Sequence, residues 1–293
     1  MVIQKKQKIG LLIILFLITV IVWVFVFKQE NSKFLKVEFF DVGQGDSIFI
    51  ETMDKKQVLI DGGPDLSILE KLGKTMLFYD RYIDLIILSH PEADHLNGLI
   101  EVIKRYEIGA IITTGVIRDT EQYKQWIETI EEKNIPIYIA EADGEIDFGN
   151  NIKFTIFYPF DSLVGAKLSD SNNSSVVGKL VYKNFETLLT GDIEKSAENK
   201  LINSGANLKS DILKIAHHGS KTSTTEEFLK AVNAILAVIE VGKDNKYGHP
   251  HQEVLDRLAN ILTFQTKNGD IEILSDGQKF LVKNKNSFKR SNF

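Results

Sequence analysis

Ser89-His90-Pro91-Glu92-Ala93-Asp94-His95 is the stretch on which the reading of this chain turns. It follows Ile83-Asp84-Leu85-Ile86-Ile87-Leu88, an apolar, β-branched run whose length suits a buried strand. A strand ending at Ser89 delivers His90, Glu92, Asp94 and His95 to one point, and Gly98 just beyond permits close backbone approach. In a turn that leads into a helix, alternate residues point to two sides, so His90 with Glu92 can serve one cation and Asp94 with His95 a second. The plainer reading is an N-capping Asp94 beside surface histidines, but a cap explains neither histidine.

The other histidines extend the pattern. All six, at positions 90, 95, 217, 218, 249 and 251, fall in three short polar segments at predicted strand ends or loops, which a scatter of core histidines would not do. His217-His218-Gly219-Ser220 follows the apolar run Ile212-Leu213-Lys214-Ile215-Ala216. Neighbours on a strand face opposite ways, so one of the pair is expected to ligate metal and the other to position substrate or donate a proton. Leu188-Leu189-Thr190-Gly191-Asp192 ends a further strand in a carboxylate whose two oxygens can bridge two metals, though a Gly-Asp turn alone is as readily a helix cap. In Tyr247-Gly248-His249-Pro250-His251, His249 reads as a substrate or phosphate contact and His251 as a bystander.

Further out, period-two and short apolar runs predict strands over 37–40, 47–51, 58–60, 83–88, 108–113, 152–158, 176–182, 187–189, 212–216, 235–241, 271–274 and 279–282. Helical spacing predicts helices over 66–74, 97–106, 121–133, 194–203, 225–232 and 253–262. Strands predominate early and alternate with helices later, the pattern of sheets covered by helices, an α/β or α+β fold.

Residues 9–27 are uniformly apolar, carry no charge and are long enough to cross a bilayer as a helix. Bulky Trp23-Val24-Phe25-Val26-Phe27 occupies the place where a cleaved leader carries small residues, so an anchor is expected. Lys5, Lys6 and Lys8 before it favour a cytoplasmic N-terminus, hence a single-pass protein of the cell membrane with its C-terminal domain extracellular. The expected organisation is a short tail (1–8), the anchor (9–27), a lysine-bearing linker (28–36), one folded domain (37–283) and a flexible basic tail (284–293).

Among the 293 residues there is no cysteine, which excludes disulfides, thiolate ligands and thiol nucleophiles, so a metal must be held by His, Asp, Glu or Asn. The formal charge of -5 disfavours a tight duplex-binding protein; a polynucleotide substrate would need a local basic groove or bound cations.

Taken in order, these segments resemble the metallo-β-lactamase superfamily over about residues 37–283. More narrowly, Phe40-Asp41-Val42-Gly43-Gln44-Gly45-Asp46-Ser47, Leu59-Ile60-Asp61-Gly62-Gly63, Asn172-Asn173-Ser174-Ser175-Val176-Val177 and the Gly-Asp, His-His-Gly-Ser and Tyr-Gly-His-Pro-His segments are similar to the hydrolase domain of ComEC competence proteins. The resemblance implies a four-layer αββα sandwich preceded by one transmembrane helix. It implies metal ligands at His90, Asp94, His95, Asp192 and one of His217 and His218, with His218, next to a glycine, favoured. Asp192 would be the bridge. Glu92 stands where the superfamily has its second histidine, and Asn173 falls near the place of the middle one. Two divalent metal ions are implied, Zn²⁺ or Mn²⁺ with Mg²⁺ also possible, and the oxygen-rich donors favour the harder ions.

The implied activity is phosphodiester hydrolysis, of DNA and single-stranded DNA in particular, by a metal-activated hydroxide. Asp94 would orient it, His249 and Ser220 would contact phosphate, Lys221 would add positive charge, and Asp41, Gln44, Asp46, Asp61, Asn173 and Tyr247 would line the site. Two alternatives stand beside this: hydrolysis of a carboxylic ester, lactone or β-lactam on the same centre, and a non-catalytic envelope interaction module with a degenerate metal site. Protein partners are not legible.

Overall fold

In the computed structural model, which describes residues 2–30, 33–168, 170–284 and 290–292, apolar side chains that alternate along the strands divide between three cores. The first half contributes α1 (Val2–Glu30), β1 (Leu35–Phe39), β2 (Ile48–Glu51), β3 (Gln57–Ile60), α2 (Ser67–Thr75), β4 (Tyr82–Ile87), α3 (Ala93–Arg105), β5 (Glu107–Thr113), α4 (Glu121–Lys133) and β6 (Ile137–Ile139). The second contributes β7 (Glu145–Gly149), β8 (Ile152–Tyr158), β9 (Val177–Tyr182), β10 (Phe185–Leu189), α5 (Lys195–Asn203), β11 (Ile212–Lys214), α6 (Glu226–Val232), β12 (Leu236–Ile239), α7 (Gln252–Arg257), β13 (Leu262–Gln265), β14 (Ile271–Ser275), β15 (Phe280–Asn284) and β16 (Arg290–Asn292).

They pair into a nine-stranded sheet, β16-β15-β14-β1-β2-β3-β4-β5-β6, and a seven-stranded sheet, β13-β12-β11-β10-β9-β8-β7. Val37, Phe39, Ile48, Ile50, Val58 and Ile87 of the first face Phe154, Ile156, Leu180, Leu189, Leu236 and Val238 of the second and fill the space between the sheets. Phe49, Leu59 and Ile86 point the other way, onto Ile68 and Leu72 of α2, Leu99 and Ile103 of α3 and Trp126 of α4. Leu188, Leu213 and Ala237 likewise meet Leu201 of α5, Phe228 of α6 and Val254 of α7. The layers are helix, sheet, sheet, helix, the expected αββα sandwich. Strands covered on both faces are apolar at nearly every position, which is why they read as runs more than as alternations.

Strand direction locates the site. β3, β4 and β5 are parallel and run with β1, from which β2 separates them by two antiparallel pairings, and β10, β11, β12 and β13 are parallel in the other sheet. Their carboxyl ends meet at one edge of the sandwich. At the far end, β1 opens at Leu35, five residues after α1 closes at Glu30. Within α1, Lys5–Trp23 has a mean hydropathy of 2.0 and none of it is buried, so this helix is long and apolar enough to span a membrane.

Several boundaries differ from expectation. α3 begins at Ala93, with Glu92 as its N-cap residue, so Asp94 and His95 lie in the first helical turn and not in a loop. The segment predicted as helix 253–262 splits: α7 ends at Arg257, and Leu262 opens β13, which pairs with β12. The edge strands β6 and β7 escape the pattern, β6 because all three of its residues are exposed. In the tail, Asn284 closes β15 and Arg290–Asn292 pair with it as β16, while 285–289 and 293 lie outside the described residues.

Candidate metal centre

Each chemical group arrives on the carboxyl end of a strand. β3 delivers Asp61, β4 delivers Ser89 and His90, β10 delivers Asp192, and β11 ends on Lys214 before the turn Ala216–Gly219 that carries His217 and His218. That turn, not a continued strand, separates the two histidines: both have left-handed backbone (φ 50° and 54°). The conformation costs about 1–2 kcal/mol per non-glycine residue, and Ser223 Oγ, donating to the Ala216 carbonyl at 2.9 Å, helps to hold it.

Three imidazoles converge with their Nδ1 atoms already engaged. Ser89 Oγ donates its single proton to Asp61 Oδ2 at 2.6 Å, so at 3.0 Å from His90 Nδ1 it acts as acceptor and fixes the proton there. His90 Nε2 is then a bare lone pair, and it is buried without a hydrogen-bond partner. His95 Nδ1 donates to Asp61 Oδ2 at 2.8 Å, leaving Nε2 3.3 Å from Asp192 Oδ2. His218 Nδ1 donates to the Glu240 carbonyl at 2.9 Å, leaving Nε2 3.3 Å from Asp94 Oδ2 and 3.2 Å from Asp192 Oδ2. Imidazoles anchored through one nitrogen and aimed with the other are the arrangement that metal ligation uses. The potential ligand atoms of His90, His95 and Asp192, and of Asp94, His95 and His218, lie within 4.8 Å of one another.

Charge makes the same demand. Asp61 and Asp94 face the histidines, and the carboxylates of Asp46, Asp192 and Glu240 act on one ammonium, Lys214, which is fully buried, ion-paired with Asp46, 3.3 Å from Asp192 Oδ1 and 2.8 Å from the Gly191 carbonyl. Burial alone would favour neutral His95 and His218, but the carboxylates, Asp192 foremost, outweigh it and hold both rings well above the ordinary histidine range. Burial raises Glu240, which the Asp46 charge reinforces. Burial and the neighbouring His95 push His90 down to about 3, so it is neutral. Several His and Asp groups are thus positioned to bind metal, and a cation seated among them would relieve the carboxylate crowding that otherwise forces protons onto the ligand nitrogens.

Above the cluster opens a polar cleft of about 310 Å³ lined by Gln44, Glu92, Asp94, Arg118, Asp192, His217, His218, Tyr247 and His249, with Asp170 and Asn172 at its wall. His249, pushed down to about 4 by partial burial and the adjacent histidines, is neutral, and the Tyr247 ring stacks on it at 5.7 Å. His217 lies 3.4 Å from Glu194 Oε1 at the mouth.

Not every expected residue comes here. Glu92 does not reach the ligand cluster. Asp41 serves a turn, accepting from Gly43 N, and its own N–H goes to Asp270. Asn173 accepts from Glu194 N at 3.0 Å, and its neighbour Asn172 faces the cleft instead. Ser220 Oγ turns to Thr222 at 3.0 Å, and Lys221 is exposed on a segment tied through its N–H to His251, so neither lines the cleft. Asp46 and Asp61, expected only as lining, are buried supports of the histidines. Lys214, Glu240 and Arg118 join the site although no motif marks them. Lys214 and Glu240 each interrupt an apolar strand run, and a charge inside such a run was the available signal.

The profile described as the Metallo-beta-lactamase superfamily matches residues 40–238. The chain is 30% identical over 275 residues to ComE operon protein 3 of Bacillus subtilis (strain 168), covering 87% of this chain and 34% of that protein. It is 28% identical over 234 residues to Competence protein ComA of Neisseria gonorrhoeae, covering 78% and 30%. The chain therefore spans about a third of the length of these curated relatives. Among solved structures, Igni18, a metallo hydrolase from the archaeon Ignicoccus hospitalis, superposes with a TM-score of 0.51 at 13% identity, covering 81% of this chain and 98% of that one, a likeness of fold alone.

Proposed function

This chain belongs to the metallo-beta-lactamase superfamily and has its metal-dependent hydrolase fold, and from there we propose that it is a membrane-anchored phosphodiesterase or nuclease whose substrate is DNA, single-stranded DNA in particular. The observation that carries the reading is the convergence of His90, His95 and His218 Nε2 with Asp94 and Asp192 on the floor of an open polar cleft. Once a cation offsets Glu92, Asp94, Asp170 and Asp192 in its lining, an open polar cleft that also presents imidazoles and a guanidinium suits an extended anionic chain better than a compact apolar acyl group. One similar protein bears competence in its name, which directs the substrate reading to DNA.

In this reading the divalent metal ligands are drawn from His90, Asp94, His95, Asp192 and His218, in two groups that share His95, with the oxygen donors favouring Mn²⁺ or Mg²⁺ over Zn²⁺. A cation bound there supplies a water of lowered pKa and polarises a phosphoryl oxygen. Asp94, the ligand open to the cleft, orients the attacking water through its carboxylate. His249, neutral and facing the cleft, donates a hydrogen bond to a non-bridging phosphate oxygen, and Tyr247 keeps its ring in place. Asp61, Ser89 and the Glu240 carbonyl hold the three ligand rings in the tautomer that presents Nε2. The anchor spans residues 9–27 and the linker 28–36, and residues 37–283 act on the extracellular side.

The test compares bis-p-nitrophenyl phosphate, labelled single-stranded DNA and nitrocefin as substrates, with and without Mn²⁺ or Zn²⁺. Phosphodiester cleavage that requires metal and is abolished in Asp94→Ala is expected. Turnover of nitrocefin alone would replace this reading with the acyl one, and no turnover of any substrate by metal-loaded protein would replace it with a binding role. Full protection of the domain from protease in intact cells would refute the external placement.

A further inference from the structure

We propose that the centre binds one divalent cation per chain and not two, because two ion pairs built from this chain's own residues occupy the donors that a second ion would need. The proposal rests on the reading of the histidine cluster as a cation site.

The first pair removes Glu92. Its Oε1 lies 3.1 Å from Arg118 Nη1 and accepts from Ser171 Oγ at 2.6 Å, and its Oε2 accepts from Arg118 Nη2 at 3.2 Å. Arg118 Nη1 also donates to the Leu168 carbonyl at 3.1 Å. A guanidinium does not give up its proton, and its two-pronged grip satisfies both carboxylate oxygens at once. Glu92 is accordingly absent from every cluster of potential ligand atoms that includes His90.

The second pair restricts Asp192. To bridge two ions a carboxylate offers one oxygen to each. Here Oδ1 faces the buried Lys214 ammonium at 3.3 Å, while Oδ2 faces His95 and His218 at 3.3 and 3.2 Å. The amide that could substitute is also engaged, since Asn173 Oδ1 accepts from Glu194 N at 3.0 Å. An ion on the His90 side has His90, His95 and Asp192 within reach, but His95 offers a single free nitrogen that the group of Asp94, His95 and His218 also needs, and the Asp192 oxygens are contested. With His95 taken by the other group, His90 and a contested Asp192 oxygen are too few for a retained ion, whereas Asp94, His95, His218 and Asp192 suffice for one ion that also holds water. Arg118 and Lys214 supply, as fixed positive charge on either side of the cluster, what a second ion would have brought.

The full-length chain in detergent, stripped with chelator and titrated with MnCl₂ alone, tests this by metal analysis of the desalted protein and by electron paramagnetic resonance. One Mn²⁺ per chain with the six-line spectrum of an isolated ion is expected. Two per chain with a spin-coupled signal would overturn the proposal and leave the hydrolase reading standing; none would overturn both. Glu92→Gln keeps the hydrogen bonds and removes the charge, and its Mn²⁺ affinity is expected to stay within about threefold of the parent. A fall of about tenfold or more, the size seen when a ligand or its outer partner is removed, would tie Glu92 to the ion and overturn the proposal.

Discussion

Gly98→Ala separates the stability of the sandwich from the geometry of its site. A Cβ on Gly98 would lie 1.9 Å from the Gly62 carbonyl oxygen and 2.8 Å from Ile68 Cγ2. Carbon and oxygen approach to roughly 3.3 Å at closest, so about 1.4 Å must be absorbed by backbone on both sides. The contact is a seam: Gly62 N donates to the His95 carbonyl at 2.8 Å and Gly98 N to the Gly63 carbonyl at 3.0 Å. Overpacking costs about 1–3 kcal/mol, but alanine recovers about 1 kcal/mol of helix propensity, so the net loss of stability is expected at roughly 0–2 kcal/mol. The site suffers more. The seam joins Asp61 to the turn carrying Asp94 and His95, and a misplacement of about 1 Å costs on the order of 100-fold in rate. Urea unfolding and Mn²⁺-dependent hydrolysis of bis-p-nitrophenyl phosphate measure the two effects on one sample. Gly73→Ala is the control: it lies within α2 with nothing within 4 Å of a built Cβ, and should gain about 0.5–1 kcal/mol with no change in rate. A Gly98→Ala enzyme within about threefold of the parent in rate would refute the claim that this seam positions the ligands.

Three further outcomes follow from the packing and charge. Lys214→Met leaves buried Asp46 and Asp192 uncompensated and should destabilise by about 3–5 kcal/mol; added Mn²⁺ should restore part of that, and a urea midpoint equal to the parent's would remove Lys214 from the charge balance. Glu198→Ala orphans the Thr224 and Thr225 N–H groups at about 1–3 kcal/mol each, read as a lower urea midpoint at unchanged kcat; an unchanged midpoint would mean that water replaces the carboxylate. Chelation of a cation present at about 100 times its Kd should withdraw about 2.7 kcal/mol, a fall in Tm of roughly 5–10 °C for a chain of this size, and a Tm indifferent to chelator would count against ligation by the cluster.

What the sequence made legible was local chemistry on strongly patterned strands. β4 and β11 read as buried strands because both faces are covered, and the histidines after them were visible because polar residues there are out of place. The sequence places the start of α3 four residues late: Pro91-Glu92-Ala93 carries no Ser, Thr, Asp or Asn cap, and Asp94 and His95 read as loop ligands. The start of β13 reads as the end of a helix because Leu258, Ile261 and Leu262 keep helical spacing across a turn. The pairs Lys214–Asp46 and Arg118–Glu92 were invisible because each joins residues far apart in sequence. Nothing at position 118 distinguishes that arginine until the loop after β5 folds over the cleft.

The parallel course of β1, β3 and β4 also sets a standoff. The chain leaves α1 at the amino ends of these strands, and the cleft opens at their carboxyl ends. Six residues of β4 at about 3.3 Å each already separate the two by about 20 Å. With α1 seated in a bilayer, the cleft faces open solvent like a mouth on a stalk. On the phosphodiester reading proposed above, a polymeric substrate would then enter from the aqueous side.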